Sequence, residues 1–392
     1  MKTRYPLAEQ VINTEDIDAL REWLGTYPRL TKGEETEAFE REWAGHMGSR
    51  FAVFVNSGSS ANLLAAYAEA YLAGDAGTRN KKVIVPATGW PTSIAPFMQA
   101  GFQSLMCGTN KEDFGYDYNQ LEDTLKRHSP FYVVLVHTLG VPADMDIIRA
   151  LQDAYGFCLV LEDACASYGA TYRGEPVGSS GSMSSFSFYF GHQLSTIEGG
   201  MICTQNKELH DMLMMLRSHG WQKDLMRKDQ LALFAKYGPD SFYDPFLFVV
   251  PGFNVRATDI QAFLGRRQIQ KAKDIFAIRN RNHVLYARSL KTVSRQTWGE
   301  EKEPCSIHFC AVAQSREHRR RILEALTRHG IESRVFSAGN LGRHPFWTER
   351  YGEFRHPVSD WLYNRGFFLP NNESLTENDI KCICEVVNNV DI

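Results

Sequence analysis

Short apolar runs alternate with amphipathic segments between about residues 50 and 205. The runs predict strands at FAVFVNS, KVIVPA, FYVVLVHTLG, FCLVLEDA, SSFSFYFG and GGMICT. Apolar positions at helical spacing predict helices at ANLLAAYAEAYLAG (residues 61–74), PTSIAPFMQAG, DMDIIRALQDAYG and KELHDMLMMLRSHG. Strands that are apolar throughout and separated by helices indicate a largely parallel sheet with both faces covered.

The rest of the chain follows a different pattern. Residues 221–250 are aromatic and predict irregular structure, and a long helix is predicted from Thr258 to about Leu290. SIHFCAVA, REHRRRILEALTRHG and ESRVF then predict a small α+β unit that ends in a helix near 376–389. We therefore predict a large domain, residues 1–257, which includes the N-terminal segment. The long linking helix and a small C-terminal α+β domain form residues 258–392.

Composition narrows the classes of function. The chain has 392 residues, 43% of them hydrophobic and 23% charged, which is ordinary for a globular protein of this length. The net charge of −3 gives no strong field to attract nucleic acid or an anionic membrane. No apolar run is long enough to span a bilayer and MKTRYPLAEQ has no signal-peptide core, so we expect a cytoplasmic protein. The eight cysteines lack metal-site spacing, so we predict reduced core thiols and no metal.

Polar residues that could take part in binding or catalysis follow three of the predicted strands. In open α/β sheets, ligands bind at the carboxyl ends of the strands. NSGSSAN opens a helix, and its small residues suit either a phosphate at free amides or ordinary helix capping. Asp163, in LEDA, can bind a metal, a ribose or a protonated ring nitrogen, or can cap a turn. His192 follows SFYFG and is either a structural residue or a proton carrier. Taken one by one, these motifs leave both interpretations open.

In order and spacing, NSGSSAN, VPATGW, LEDA and SFYFGH…EGG resemble the fold-type I enzymes that use pyridoxal 5′-phosphate (PLP). More narrowly, they resemble the DegT/DnrJ/EryC1/StrS family of sugar aminotransferases. The resemblance runs from TKGEETEAFEREWA to the terminal helix. It implies a large domain with a mostly parallel sheet, a smaller C-terminal α+β domain, and PLP or its amino form, pyridoxamine phosphate (PMP), as cofactor.

Further expectations about site residues come from this resemblance. Trp90 matches the aromatic residue that stacks on the pyridine ring, and Asp163 matches the acid that pairs with the ring nitrogen. A carboxylate there keeps the nitrogen protonated, so that the ring can accept electrons. Asn254, in PGFNVR, matches a residue that reaches the cofactor phosphate from the other subunit, which implies a homodimer with shared active sites. The residues that match the phosphate-binding positions are Gly58, Ser59, Ser60 and Ser187.

One position departs from the aminotransferase pattern. The residue eight before the second glycine of EGG is there a lysine, which holds the cofactor covalently and moves protons, but here it is His192. An imidazole cannot hold the cofactor covalently, yet it can move a proton near neutral pH. The histidine, EGG, RSHGW and PGFNVR resemble a branch of the family, the sugar 3-dehydratases that act on GDP-4-keto-6-deoxymannose in the colitose pathway.

The branch implies a reaction. The C3 hydroxyl is removed from a nucleotide-linked 4-keto-6-deoxyhexose, which gives a 3-deoxy-4-keto sugar and ammonia, and glutamate regenerates PMP. His192 and Asp163 are the implied catalytic residues. Candidate contacts for the substrate phosphates or the donor carboxylate, each with an ordinary structural role as the alternative, are Arg217, His219 and Arg334. Surface polysaccharide synthesis, such as that of O-antigen, is the family's usual setting.

Alternatives stay open at this stage. A second type of 3-dehydratase uses a [2Fe–2S] cluster, but this chain lacks the closely spaced cysteines, so the cluster-free type is favoured. A sugar aminotransferase with its lysine replaced by histidine and a non-catalytic scaffold are the rival interpretations. Three residues after Asp163, aminotransferases carry glutamine, whereas this chain has Ala166. Ser167 either replaces the missing contact to the ring hydroxyl or has a turn role.

Overall fold

Strands occur in both halves of the chain, in a computed structural model that describes residues 3–73, 80–238, 240 and 242–392. In chain order they are β1 (Phe51–Val55), β2 (Lys82–Pro86), β3 (Gln103–Cys107), β4 (Tyr132–Val136), β5 (Cys158–Asp163), β6 (Thr171–Tyr172), β7 (Glu175–Pro176), β8 (Met183–Ser187), β9 (Gly200–Thr204), β10 (Ser294–Arg295), β11 (Lys302–Glu303), β12 (His308–Val312), β13 (Arg334–Val335) and β14 (Gly366–Pro370). Seven of them form one sheet in the order β1-β9-β8-β5-β4-β2-β3. Neighbours from β3 to β8 are parallel, and only β9 runs against its neighbours. The predicted mostly parallel sheet is confirmed.

Helices cover the sheet and link it to the C-terminal part. They are α1 (Thr14–Leu24), α2 (Glu34–Met47), α3 (Gly58–Leu72), α4 (Ala95–Gln99), α5 (Tyr118–His128), α6 (Met145–Tyr155), α7 (Lys207–Arg217), α8 (Arg227–Tyr237), α9 (Asp259–Ser289), α10 (Arg316–Arg328), α11 (Pro345–Tyr351), α12 (Pro357–Arg365) and α13 (Glu377–Asn388). Among the described residues, no helix combines the length and the apolar character needed to cross a lipid bilayer. The predicted helix over 61–74 corresponds to α3, and Gly74 lies outside the described residues.

Two predicted elements differ from the structure. The stretch 221–250, expected to be irregular, contains α8. None of the residues of α8 is buried, so its sequence carries no apolar stripe to reveal the helix. PTSIAPFMQAG, expected to be one helix, is a 3₁₀ turn followed by the short α4, because Pro96 removes an amide donor from the middle of the segment.

Helix α3 joins the sheet to the functional end of the molecule. Ser57 caps it by accepting a hydrogen bond from Ser60 N at 3.1 Å, so only two residues separate the end of β1 from the start of the helix. Small side chains on the helix, including Ala61, Ala65 and Ala68, are fully buried. Since these residues let α3 lie close to the strands, its N-terminus is held at the carboxyl edge of the sheet.

The C-terminal part is built on a four-stranded antiparallel sheet in the order β10-β12-β14-β13. The long helix α9 leads into it from Thr258, which caps the helix at the boundary we placed between the two domains. The division into 1–257 and 258–392 stays a prediction. Backbone pairing crosses this boundary, since β11 pairs with β6 and Tyr5 pairs with Ile331. The first described residues therefore pack on the C-terminal part.

Candidate active site

A cavity of about 430 Å³ lies at the carboxyl edge of the large sheet. One wall comes from the ends of β5 and β8, which contribute Asp163 and Ser187, and from the start of α3. The opposite wall comes from the C-terminal part and includes His308, Arg334 and Phe368. The predicted site residues that line this cavity are Gly58, Ser59, Trp90, Asp163, Ser187, His192 and Arg334.

The start of α3 forms an anion-binding corner of this cavity. The first amides of a helix have no intrahelical acceptor, and the helix dipole adds positive potential there. Ser57 Oγ satisfies Ser60 N, whereas Gly58 and Ser59 face the cavity. A Cβ on Gly58 would stand 2.6 Å from the Cβ of Ser187, so only glycine lets the two elements meet. The corner suits a phosphate.

Asp163 lies at the end of β5 with a fixed orientation. Its Oδ2 accepts hydrogen bonds from Asn62 Nδ2 at 3.0 Å and from Ser93 Oγ at 2.7 Å. Its Oδ1 accepts from Cys165 N at 3.0 Å. Only 5% of the residue is exposed, and it still lines the cavity. Three donors from three separate segments therefore present one carboxylate to a ligand.

Trp90 supplies a flat apolar face at the cavity. It precedes the 3₁₀ turn Pro91–Ser93 and is 58% exposed, which is unusual for a tryptophan without a binding role. The same turn holds Thr92, whose Oγ1 lies 3.0 Å from Ser59 Oγ, and Ser93, which bonds Asp163. One short turn thus connects the aromatic face, the anion corner and the carboxylate.

His192 is half-buried in the turn after β8 and has one ring nitrogen committed to the main chain. Its Nδ1 lies 2.7 Å from Cys165 O, and because a carbonyl only accepts, we assign the proton of the neutral ring to Nδ1. Nε2 then has the free lone pair. Burial lowers the pKa of His192 to about 4; the bond to Cys165 O opposes this, Arg279 adds to it and Asp163 opposes it. The ring is therefore neutral at physiological pH.

The sequence matches the DegT/DnrJ/EryC1/StrS aminotransferase family over residues 10–388. The chain belongs to this family. It is 28% identical to GDP-4-keto-6-deoxy-D-mannose 3-dehydratase from Yersinia pseudotuberculosis, over 98% of both chains. It is 28% identical to the enzyme of that name from Escherichia coli O55:H7, over 98% of this chain and 99% of the other. It is also 26% identical to GDP-perosamine synthase from Escherichia coli O157:H7, over 98% and 97%.

Solved structures of the same family superpose on the whole chain. An E. coli GDP-4-keto-6-deoxy-D-mannose 3-dehydratase with bound hydrated PLP is 27% identical, covers 99% of this chain and 100% of its own, and gives a TM-score of 0.89. A GDP-4-keto-6-deoxymannose 3-dehydratase with a trapped PLP-glutamate geminal diamine is 27% identical over 98% and 100%, with a TM-score of 0.88. The resemblance to the DegT/DnrJ/EryC1/StrS family and the fold-type I architecture are thus confirmed.

Four residues predicted on this family resemblance lie outside the cavity lining of their own chain. The hydroxyl of Ser60 donates to Asn56 Oδ1 at 2.6 Å. Asn254 and His219 are exposed on adjacent segments. Arg217 is fully buried and forms an ion pair with Glu40. This position corrects the prediction that Arg217 contacts substrate, since its guanidinium is committed to the protein interior.

The structure also settles the position after the LEDA motif. Ala166 lines the cavity, whereas Ser167 is fully buried and donates to His137 O at 2.5 Å. Ser167 also accepts from Gly140 N at 2.9 Å. It therefore does not replace the missing contact to a cofactor hydroxyl, and its role is to hold a turn.

Several site residues were not predicted as such. Asn62 and Ser93 orient Asp163, and Gln193 and Arg279 hold the turn of His192. Asn62 lies within NSGSSAN, so its place in the motif was a usable signal. The others bond to residues 27 to 112 positions away, and no local pattern marks such partners.

PLP fits this constellation. The anion corner takes a phosphate, Trp90 takes an aromatic ring, and Asp163 takes a protonated ring nitrogen. Asn62 Oδ1 is buried in the cavity wall and has no hydrogen-bond partner among the described residues, as expected of a wall completed by a ligand. The residues at this cavity therefore suit the coenzyme, with His192 at the position of the family's lysine and Ala166 at that of its glutamine.

Proposed function

We propose that this protein is a PMP-dependent 3-dehydratase, a lyase, that acts on a nucleotide-linked 4-keto-6-deoxyhexose. GDP-4-keto-6-deoxymannose is the substrate we favour, because it appears in the names of relatives that match the whole chain. The products are a 3-deoxy-4-keto sugar and ammonia, and glutamate restores the amino form of the cofactor. One observation carries the proposal: at the family's lysine position, an imidazole with a free nitrogen lines the same cavity as Asp163, Trp90 and the start of α3.

The walls of the cavity bind and orient the reactants. When bound, the cofactor supplies an amino group for the C4 ketone and a ring that accepts electrons as the C3 hydroxyl leaves. Gly58, Ser59 and Ser187 hold its phosphate at the N-terminus of α3, and Trp90 holds its ring. Asp163 keeps the ring nitrogen protonated. Arg334 lies at the opposite wall, where its cation can bind an anionic group of either substrate.

His192 moves the proton. Its low pKa leaves Nε2 unprotonated at neutral pH, so this atom can accept a proton beside the reacting carbon. Once protonated, an imidazolium whose pKa is lowered gives up its proton more readily than a free one, and it passes this proton to the departing hydroxyl, which leaves as water. Because His192 has no primary amine, it does not hold the aldehyde form of the cofactor, and the amino form stays available.

We also propose a homodimer with shared active sites. Residues 218 and 254 form a β-bridge, and His219 N donates to Phe253 O at 2.6 Å. This bridge displays Asn254 and His219 together on the surface, away from their own cavity. An amide and an imidazole in this place suit the phosphate groups of ligands bound by a second copy.

A product assay tests the function. The protein is incubated with PLP, glutamate and the 4-keto-6-deoxyhexose linked to GDP, CDP, dTDP or UDP. We expect ammonia and a 3-deoxy sugar as products. When glutamate is omitted, the amino form of the cofactor is not restored, so we expect one turnover at most. A 4-amino sugar without ammonia would instead identify an aminotransferase, the activity named for the similar GDP-perosamine synthase. The absence of cofactor binding in a titration would identify a scaffold.

A further inference from the structure

Arg279 is a fully buried residue in the middle of α9 that contacts the turn of His192. Its Nη2 donates to His192 O at 3.3 Å and to Glu373 Oε2 at 2.9 Å. Its Nη1 donates to three carbonyl oxygens at one end of the small sheet, those of Ser306 and Ile307 just before β12 and that of Asn371 just after β14. One guanidinium therefore ties the main chain of His192 to the C-terminal part of the molecule.

A second side chain fixes the same turn. Gln193 is buried, and its Nε2 donates to Ala166 O at 3.1 Å and to Cys305 O at 3.0 Å. With the bond from His192 Nδ1 to Cys165 O, the turn is attached to the loop after β5, to α9 and to the segment before β12. Among these attachments, Arg279 is the only one that carries a charge.

We propose that Arg279 is a positioning residue for His192: it fixes the main chain of the turn and places a positive charge that keeps the imidazole unprotonated. The proposal rests on the proposed role of His192 in proton transfer. A cation next to an imidazole disfavours a second positive charge on the ring. The hydrogen bond from Arg279 to His192 O also fixes the distance between α9 and the imidazole. One side chain therefore supplies both the positive charge and the position of the turn.

The electrostatic part agrees with the surroundings of the ring. Burial is the main reason for the lowered pKa of His192, and Arg279 lowers it further while Asp163 raises it. Glu373 partly neutralises Arg279 through their ion pair. The other titratable or charged groups that share the cavity with the ring, or contact it, are Cys165, Tyr189, Glu198, His308 and Arg334. These groups stay constant in variants of Arg279.

The test uses the protein without cofactor or substrate, so it does not depend on the proposed reaction. Diethyl pyrocarbonate modifies neutral imidazoles, and mass spectrometry of the peptide that contains His192 gives the pH midpoint of its modification. We expect Arg279→Met to raise this midpoint by up to about one pH unit. Arg279→Lys keeps the charge and the partner of Glu373, so its midpoint stays at the wild-type value.

Arg281 provides the matched control. It lies two residues further along α9 and donates to Leu375 O at 2.9 Å, but it is exposed and does not contact His192. Arg281→Met is expected to leave the midpoint unchanged. Circular dichroism and urea unfolding show that each variant is folded before its midpoint is compared.

Turnover measurements complete the test. In the loaded enzyme we expect kcat to fall by about tenfold or more in both Arg279 variants, with KM nearly unchanged, because the turn is displaced. Only Arg279→Met shifts the acidic limb of the kcat profile to higher pH. Folded Arg279 variants with wild-type midpoints and wild-type kcat would overturn the proposal. So would variants that lose stability alone, since that is a purely structural role.

Discussion

At position 192, a change from amine to imidazole alters one property of the cavity and leaves the others in place. In the proposed site, the anion corner, the aromatic face of Trp90 and the carboxylate of Asp163 keep the roles that the family resemblance implies for an aminotransferase. The imidazole retains the capacity to accept a proton at Nε2, since Nδ1 is bonded to Cys165 O. It lacks the primary amine that would hold the cofactor. In the proposed mechanism, dehydration therefore depends on the absence of a covalent bond between the protein and its cofactor.

Replacing His192 with asparagine removes the proton carrier and keeps a polar side chain. We expect turnover to fall by about 10²- to 10⁴-fold, which is the usual contribution of a positioned acid–base group. Cofactor affinity is expected to stay within a few-fold of wild type, because Gly58, Trp90 and Asp163 are untouched. Ammonia release measures turnover and an absorbance titration measures affinity. A variant that retains most of its turnover would show that another group moves the proton.

Replacing His192 with lysine restores a primary amine beside the cofactor. We expect the cofactor to resist dialysis and to become permanently attached after borohydride reduction, as detected by the mass of the peptide that contains position 192. Wild type and the asparagine variant, treated in the same way, serve as controls and are expected to remain unlabelled. Labelling of wild type would mean that a lysine elsewhere reaches the cofactor.

At the scale of elements, the site depends on how closely the start of α3 approaches the end of β8. The contact is set by Gly58 and Ser187, and the cap by Ser57 fixes where the helix begins. The turn that follows Trp90 is attached to the end of β5 by the hydrogen bond from Ser93 to Asp163. A shift between these elements therefore changes the anion corner and the carboxylate at the same time.

Gly58→Ala tests this approach. Its Cβ would stand 2.6 Å from the Cβ of Ser187, and relieving such overpacking costs about 1–3 kcal/mol. We expect cofactor affinity to fall by about tenfold or more. Gly45→Ala is the matched control, because it lies inside α2 with nothing within 4 Å of the new Cβ. It should leave affinity unchanged and raise stability by roughly 0.5–1 kcal/mol.

At the scale of the whole molecule, the proposed dimer gives a complementation experiment. Asn254→Ala and His192→Asn chains are each expected to be inactive, since one removes a contact to the partner's cofactor and the other removes the proton carrier. Mixed dimers contain one cavity with both native residues. After unfolding and refolding an equal mixture, we expect about a quarter of wild-type activity to return. No recovery in mixtures shown to contain mixed dimers would place Asn254 in its own subunit's site.

Buried histidines link the stability of the fold to pH. Burial lowers the pKa of His283 to about 3 and is the main cause of the value of about 4 for His192. Unfolded histidines titrate near 6.5, so above that pH neither state is charged and the stability is fully present. As the pH falls below 6.5, the unfolded chain binds protons that the folded chain does not. Stability is then lost by about 1.4 kcal/mol per pH unit for each such histidine, until the folded pKa is reached.

His283→Phe isolates one of these contributions. The new ring can keep the contacts with Trp298 and Phe309, and Ser306 Oγ keeps its bond from Asn371 Nδ2. Urea unfolding is measured from pH 7 to pH 4. As the pH falls, the unfolding free energy of the variant is expected to decrease less steeply than that of wild type, by about the contribution of one proton bound on unfolding. Identical slopes for variant and wild type would mean that His283 is protonated in the folded state.

Local patterns in the sequence determined the parallel strands β2, β4, β5 and β8, the long helix α9 and the identity of the residue at 192. These features depend on residues a few positions apart. A strand that is buried on both faces of the sheet has a continuous apolar run, which is visible in the sequence itself. The family resemblance added the coenzyme residues, whose motifs are local as well. Helix α8 was not predicted, because none of its residues is buried and its sequence carries no apolar stripe.

Only the tertiary structure decided which polar side chains meet. Ser93 reaches Asp163 across 70 residues, and Arg279 reaches His192 across 87. Arg217 was expected at the substrate, but its guanidinium is buried against Glu40, 177 residues away. Hydrogen bonds and ion pairs of this kind form between atoms that packing brings within about 3 Å. Packing depends on the whole chain, so residue type and spacing alone do not reveal these partners.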